Sequence, residues 1–196
     1  MAHPLIRTNM WYSLKARFRK KYYGFNSFFG WLTSDDDRSF EMVENFEVPK
    51  DVSTKISEAC NAIKDPYRVN RKYTKEDASI SASKVILKYA RLLIWLHRYF
   101  YPGLWLMAHF RFNVYENAID ATDAFCRMIG GNQNILCLPR SIFAATTSRQ
   151  FKNKGVMFIG AFLPSTNMHA WIIENGYNAW RDDTIWINYT PVCLLS

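Results

Sequence analysis

The chain of 196 residues carries 49% hydrophobic, 16% aromatic and 21% charged side chains, which excludes global disorder and supplies a core for one large domain or two small ones. Lys and Arg number 25 against 17 Asp and Glu, and the formal charge of +8 favours anionic partners without choosing among them. The four Cys, at 60, 126, 137 and 193, form no CxxC and no zinc-finger spacing with His, which argues against a structural metal site, and they are too sparse for a disulfide scaffold.

No apolar segment with a small-residue cleavage site opens the chain, so no secretory signal is expected and a reducing cytoplasm is the expected location. Lys15, Arg17, Arg19, Lys20 and Lys21 interleave with Phe18, Tyr22 and Tyr23. That stretch reads either as a basic contact surface or as one solvated face. A strand is expected within Trp11–Phe25. Pro49-Lys50-Asp51-Val52-Ser53, followed by Ile56, Ala59, Ala62 and Ile63, predicts a short helix capped at Asp51 or Ser53. Residues 64–82 are polar, and a boundary near 75–82 divides an N-terminal segment, 1–80, from a second unit, 81–196.

Residues 83–101 predict a helix. Val85, Ile86, Tyr89, Leu92, Leu93, Leu96 and Phe100 recur at helical spacings, and Lys84, Lys88, Arg91 and Arg98 cover the other side. Four cations argue against a membrane span, so no stable membrane insertion is expected. A core helix and a helix lying on a surface both fit the pattern. Pro102-Gly103 is expected to end it. Further helices are expected over Leu104–Phe112 and Glu116–Ile129, the latter stopped by Gly130-Gly131.

The segment 132–196 carries the chemistry. Leu138–Thr147 predicts a helix with Pro139 in its first turn, which places Cys137 at the helix N-terminus. The positive end of the dipole and the free N–H groups there favour a thiolate and lower its pKa from about 8.5 toward 3.5–7.5. The same N–H groups suit an oxyanion. Val156–Ala161 reads as a buried strand. Asn175-Gly176 between Met168–Glu174 and Tyr177–Trp180 predicts a hairpin with a two-residue turn. If Glu174 pairs with Tyr177, then Trp171 faces Trp180 and His169 faces Asp182, with Cβ atoms about 4.5–5.5 Å apart. A bulge would hand that place to Asp183. Cys137, His169 and Asp182 are therefore the candidate nucleophile, base and orienter. Taken singly, a buried Cys or a His beside an Asp is an ordinary structural feature.

Cys137-Leu138-Pro139-Arg140-Ser141, Gly155–Gly160, His169-Ala170-Trp171-Ile172-Ile173-Glu174-Asn175-Gly176 and Tyr189-Thr190-Pro191 together resemble the transglutaminase-like leader peptidases of lasso-peptide biosynthesis, the bacterial B proteins of that pathway. The resemblance covers roughly residues 83–196. It implies an α+β fold, a papain/transglutaminase-like cysteine peptidase domain with helices packed on an antiparallel sheet, after a small N-terminal α/β segment. It implies cleavage of the leader from a precursor peptide, with no cofactor or metal, beside an ATP-dependent lasso cyclase resembling asparagine synthetase. It further implies that residues 1–80 could form a winged-helix-like module that recognises the leader as an added strand. Gln133 or Asn134 would add a side-chain amide to the oxyanion site. An acyltransferase on the same three residues and a non-catalytic basic binding protein are the rival readings. With no phosphate-cradling Gly loop, a nucleotide site is not expected, nor is a nucleic-acid partner under the peptidase reading.

Overall fold

The computed structural model describes residues 11–13, 16–18, 21–26, 31–35, 53–63, 83–130, 136–162, 167–180 and 189–196. Its central sheet grows from the Asn175-Gly176 turn. Both residues have positive φ, 55° and 80°, as a two-residue type I′ turn requires. The turn sets Glu174 against Tyr177 and Ile173 against Asn178, the register predicted from the turn chemistry. Strands β5 (Gly155–Phe162) and β6 (Asn167–Glu174) pair antiparallel along their whole length, from Gly155 opposite Glu174 to Phe162 opposite Asn167. The returning strand β7 (Tyr177–Asn178) is only two residues long. On the other side of β5 lies β8 (Thr190–Leu195), and beyond it β1 (Trp11–Ser13). The order is β1-β8-β5-β6-β7, with every pairing antiparallel.

Alternation along the strands fills two cores. Met157, Ile159, Ala161, Ala170, Ile172, Cys193 and Leu195 face one layer of helices. Val156, Phe158, Trp171, Ile173 and Leu194 face the other side, where α1 (Thr54–Ile63) lays down Ile56, Ala59, Cys60 and Ala62. Covering both faces explains why β5 reads as an unbroken apolar run and not as an alternating one.

The first layer is built around one buried helix. Helix α2 (Lys84–Tyr99) starts at Ser83, whose hydroxyl accepts from Ile86 N at 3.3 Å. Helix α3 (Tyr101–Met107) follows at once. Helix α2 thus ends just before Pro102-Gly103, as expected, but the next begins at Tyr101 and not at Leu104. Pro102 occupies the first turn of α3, where a missing N–H costs nothing. Helix α4 (Ala118–Ile129) is capped by Asn117, which accepts from Asp120 N at 2.9 Å, and stops at Gly130 with φ 64°. Helix α5 (Cys137–Thr147) is buried from Leu138 to its end. Its last carbonyls would be orphaned there. The linker before α4 satisfies them: Phe112 N bonds Thr146 O at 2.7 Å, and Val114 N and Tyr115 N bond Thr147 O at 2.7 and 2.9 Å. A short helix, α6 (Phe151–Lys154), leads into β5.

Before α1, the strands β2 (Ala16–Phe18), β3 (Lys21–Asn26) and β4 (Trp31–Asp35) form a separate three-stranded antiparallel sheet. Sequence reading anticipates a strand in Trp11–Phe25 but not β4 or β8. Two elements of the first eighty residues, β1 and α1, pack on the main sheet. The boundary expected near 75–82 lies outside the described residues.

One carboxylate fastens these layers. Glu174, 5% exposed at the end of β6, accepts from Ala118 N at the start of α4 (2.6 Å) and from the Ser148 hydroxyl at the end of α5 (2.8 Å). Burial raises its pKa above 4.5, against the pull of those two bonds, and Asp120 raises it further. An acid with a raised folded pKa costs stability once ionised. Stability should therefore fall as pH rises from about 4.5 through the raised folded value. Glu174→Gln should flatten that part of the profile in urea unfolding, because the amide keeps an acceptor for Ala118 N and a donor for Ser148. Glu174→Ala should cost about 3 kcal/mol, leaving two buried donors unmatched.

Candidate active site

The N-terminus of α5 has no side-chain cap: Leu136 holds that position, and Pro139 removes one further donor in the first turn. Cys137 is the half-buried residue that opens the helix. One turn later, the Ser141 hydroxyl donates to Ala170 O at 3.1 Å. The thiol of Cys137 takes a hydrogen bond from the Ala170 backbone N–H. Strand geometry explains the pairing. Ala179 N bonds Ile172 O at 2.9 Å, so the peptide groups of Ile172 face β7. Those of Ala170, two residues earlier, face the same way, beyond the point where β7 stops. Cys137 and Ser141 thus meet the peptide groups of Ala170 on the edge of β6 that has no strand partner there among the described residues.

His169 is 5% exposed and sits next to Ala170. Its ring packs among Tyr189, Trp171 and Trp180, with centroids at 5.3, 6.1 and 6.2 Å. It shares a face with Trp171, while α5 packs on Ala170 and Ile172. Cys137 packs against the helix-side core, and its hydrogen bonds to the Ala170 N–H and to the His169 ring bring the thiol and the imidazole together. Burial by itself would push the Cys137 thiol up. The hydrogen bond to His169, the charge of that ring, the Ala170 N–H and the charge of Arg140 outweigh it and hold the thiol below 9.0. Cys126 and Cys193 go the other way, both pushed up by burial.

Three supporting residues were not singled out in the sequence. Arg140 is 2% exposed, and its Cζ stands 3.2 Å from the centre of the Trp180 ring. It also bonds the Cys126 thiol. Trp180 in turn borders His169, so the guanidinium supports one wall of the imidazole while its charge acts on Cys137. A signal existed: a cation near the start of a helix opposes the dipole and calls for a local reason. Gly160 lies opposite His169 on β5. A Cβ there would meet Trp171 Cη2 at 2.7 Å and Tyr189 Cβ at 2.9 Å, so only glycine leaves room for both rings. Tyr101 packs on the same core as Cys137. Its hydroxyl is pushed up to about 12 by burial first, then by the nearby Cys137 and Cys193 thiols.

Asp182, Asp183, Gln133 and Asn134 lie outside the described residues. The pairing that would bring Asp182 to His169 is seen at Glu174–Tyr177 and Ile173–Asn178 and continues as far as the Ala179–Ile172 bond. A cavity of about 600 Å³ opens at the opposite end of β6, lined by Lys55, Asn61, Lys154 and Asn175 among others. It is far from Cys137 along the strand and plays no part in this site.

Alkylation of Cys137 by iodoacetamide, followed by mass spectrometry across pH, reads the thiolate directly. The half-point should fall below 9.0. His169→Ala should raise it, and Arg140→Gln should raise it part of the way. Gly160→Ala should cost about 2 kcal/mol by overpacking and slow alkylation as the rings around His169 shift.

No family model, curated protein or solved structure matches this chain, so its own residues carry the case for what the site does.

Proposed function

We propose that this chain is a cysteine peptidase with Cys137 as nucleophile and His169 as base. The observation that supports the reading most is the hydrogen-bonded Cys137–His169 pair at an uncapped helix start, with the thiol below its ordinary value. His169 takes the thiol proton and the sulfur attacks the scissile carbonyl. The Cys137 and Leu138 N–H groups, with Gln133 or Asn134, receive the oxyanion. His169 then protonates the leaving amine, and a water deprotonated by the same ring hydrolyses the thioester. Asp182 is the proposed orienter of the ring.

The narrower proposal is that the substrate is the leader–core junction of a lasso-peptide precursor, cleaved in the cytoplasm before an ATP-dependent cyclase closes the ring. It rests on the Cys137–Ser141, His169–Gly176 and Tyr189–Pro191 segments. A papain/transglutaminase-like arrangement suits the α+β architecture, with α5 presenting its N-terminus to an antiparallel sheet. Within residues 1–80, the three-stranded sheet β2–β3–β4 has edge strands, β2 and β4, with no further strand partner among the described residues, and edges of that kind can recognise a leader by strand addition.

Incubation of the purified protein with a precursor peptide and mass analysis should give leader and core. Cys137→Ala should abolish the products, and persistence of cleavage in that variant would sink the peptidase reading. His169→Ala should lower kcat/KM by roughly 10²–10⁴-fold. Asp182→Asn should be more damaging than Asp183→Asn. Transfer of the acyl group to an added amine instead of water would reassign the same residues to acyl transfer.

A further inference from the structure

Helix α2 uses one side to reach the core, through Ile86, Tyr89, Ala90, Leu93 and Leu96. Its outer side is not a plain solvated face. Val85, Leu92, Trp95 and Tyr99 recur at spacings of seven, three and four, and are 73%, 41%, 52% and 64% exposed. Phe100 and Leu106 extend this apolar row onto α3, at 54% and 61%. Beside it runs a second row, Lys84, Lys88, Arg91 and Arg98, all exposed. The helix contains no acidic residue. None of these four cations forms an ion pair among the described residues.

Contiguous exposed apolar surface of this kind marks an interaction site. The charge beside it selects the occupant. Protein interfaces are depleted in Lys, whereas helices that lie in the plane of a bilayer combine Lys and Arg with Trp and other large apolar side chains. Trp, Tyr and Phe together favour the boundary between lipid and water. No described helix is long and apolar enough to cross a membrane, so any contact made by this face is peripheral. We propose that the outer face of α2, continued by Phe100 and Leu106, docks on an anionic lipid surface, with Trp95 and Tyr99 in the headgroup region and the cationic row against lipid phosphates. The proposal is independent of the chemistry at Cys137.

Co-sedimentation of the full chain with vesicles tests it. Vesicles of phosphatidylcholine containing phosphatidylglycerol should retain the protein, vesicles of phosphatidylcholine alone should not, and added salt should release it. Lys88→Gln with Arg91→Gln should weaken binding by about fivefold per cation. Trp95→Ala with Tyr99→Ala should weaken it further, with Cys137 alkylation unchanged as the sign of an intact fold. Binding unchanged in both double variants would place the contact on the basic stretch Lys15–Lys21 and overturn the proposal. So would an absence of binding to the anionic vesicles at low salt. Light scattering that shows a dimer lost in the Trp95 and Tyr99 variant, without vesicle binding, would assign the face to a second copy of the chain. Binding to duplex DNA that depends on the cations but not on Trp95 would assign it to nucleic acid. Either result would overturn the lipid assignment.

Discussion

The open edge of β6 is the constraint from which the site follows. Among the described residues, β7 ends after two residues and gives the peptide groups of Ala170 no strand partner on that side. A buried amide without a partner is costly. Helix α5 supplies the partners from two positions a turn apart, Ser141 for the carbonyl and Cys137 for the N–H. That docking explains why α5 is buried along its length, why its first residue is held at a sheet edge and why the neighbouring His169 comes within reach. The Cys137–His169 pair is thus a by-product of backbone satisfaction and needs no strained element to bring it together.

The electrostatics of the site are a contest that desolvation loses. Burial is the largest single influence on Cys137 and favours the neutral thiol. Against it stand the imidazole, the Ala170 N–H and a guanidinium three residues away. Arg140 is itself buried, an arrangement made tolerable by its stacking on Trp180 and its bond to Cys126. Elsewhere the balance tips the other way. Cys193, with only its own strand's backbone to help, is driven far upward, and Glu174 stays above its ordinary range despite two hydrogen bonds.

What could be read from the sequence was what depends on neighbours in the chain. Asn175-Gly176 fixes a turn by its own backbone preference, and Pro139 fits the start of a helix, so the hairpin and the position of Cys137 were both accessible. Pro102-Gly103 marks the break between α2 and α3, but the start of α3 was placed too late, because Pro102 falls inside its first turn and not before it. Strand β8 was missed for two reasons. It opens on Thr190-Pro191, and its partner β5 lies some thirty residues earlier in the chain. Its register shifts between Ile159 and Gly160, which lets Val192 and Cys193 both enter the same core. Arg140 was part of a recognised segment, but its role depends on Trp180, brought to it by the hairpin.

The Ala170 N–H is also a gauge. It donates to a sulfur that is a strong acceptor as thiolate, a weak one as thiol and a poorer one still once alkylated. Its chemical shift and its solvent exchange should therefore follow the state of Cys137 residue by residue, without substrate and without a label. A backbone amide on a sheet edge doubles as a spectroscopic reporter of the Cys137 thiol.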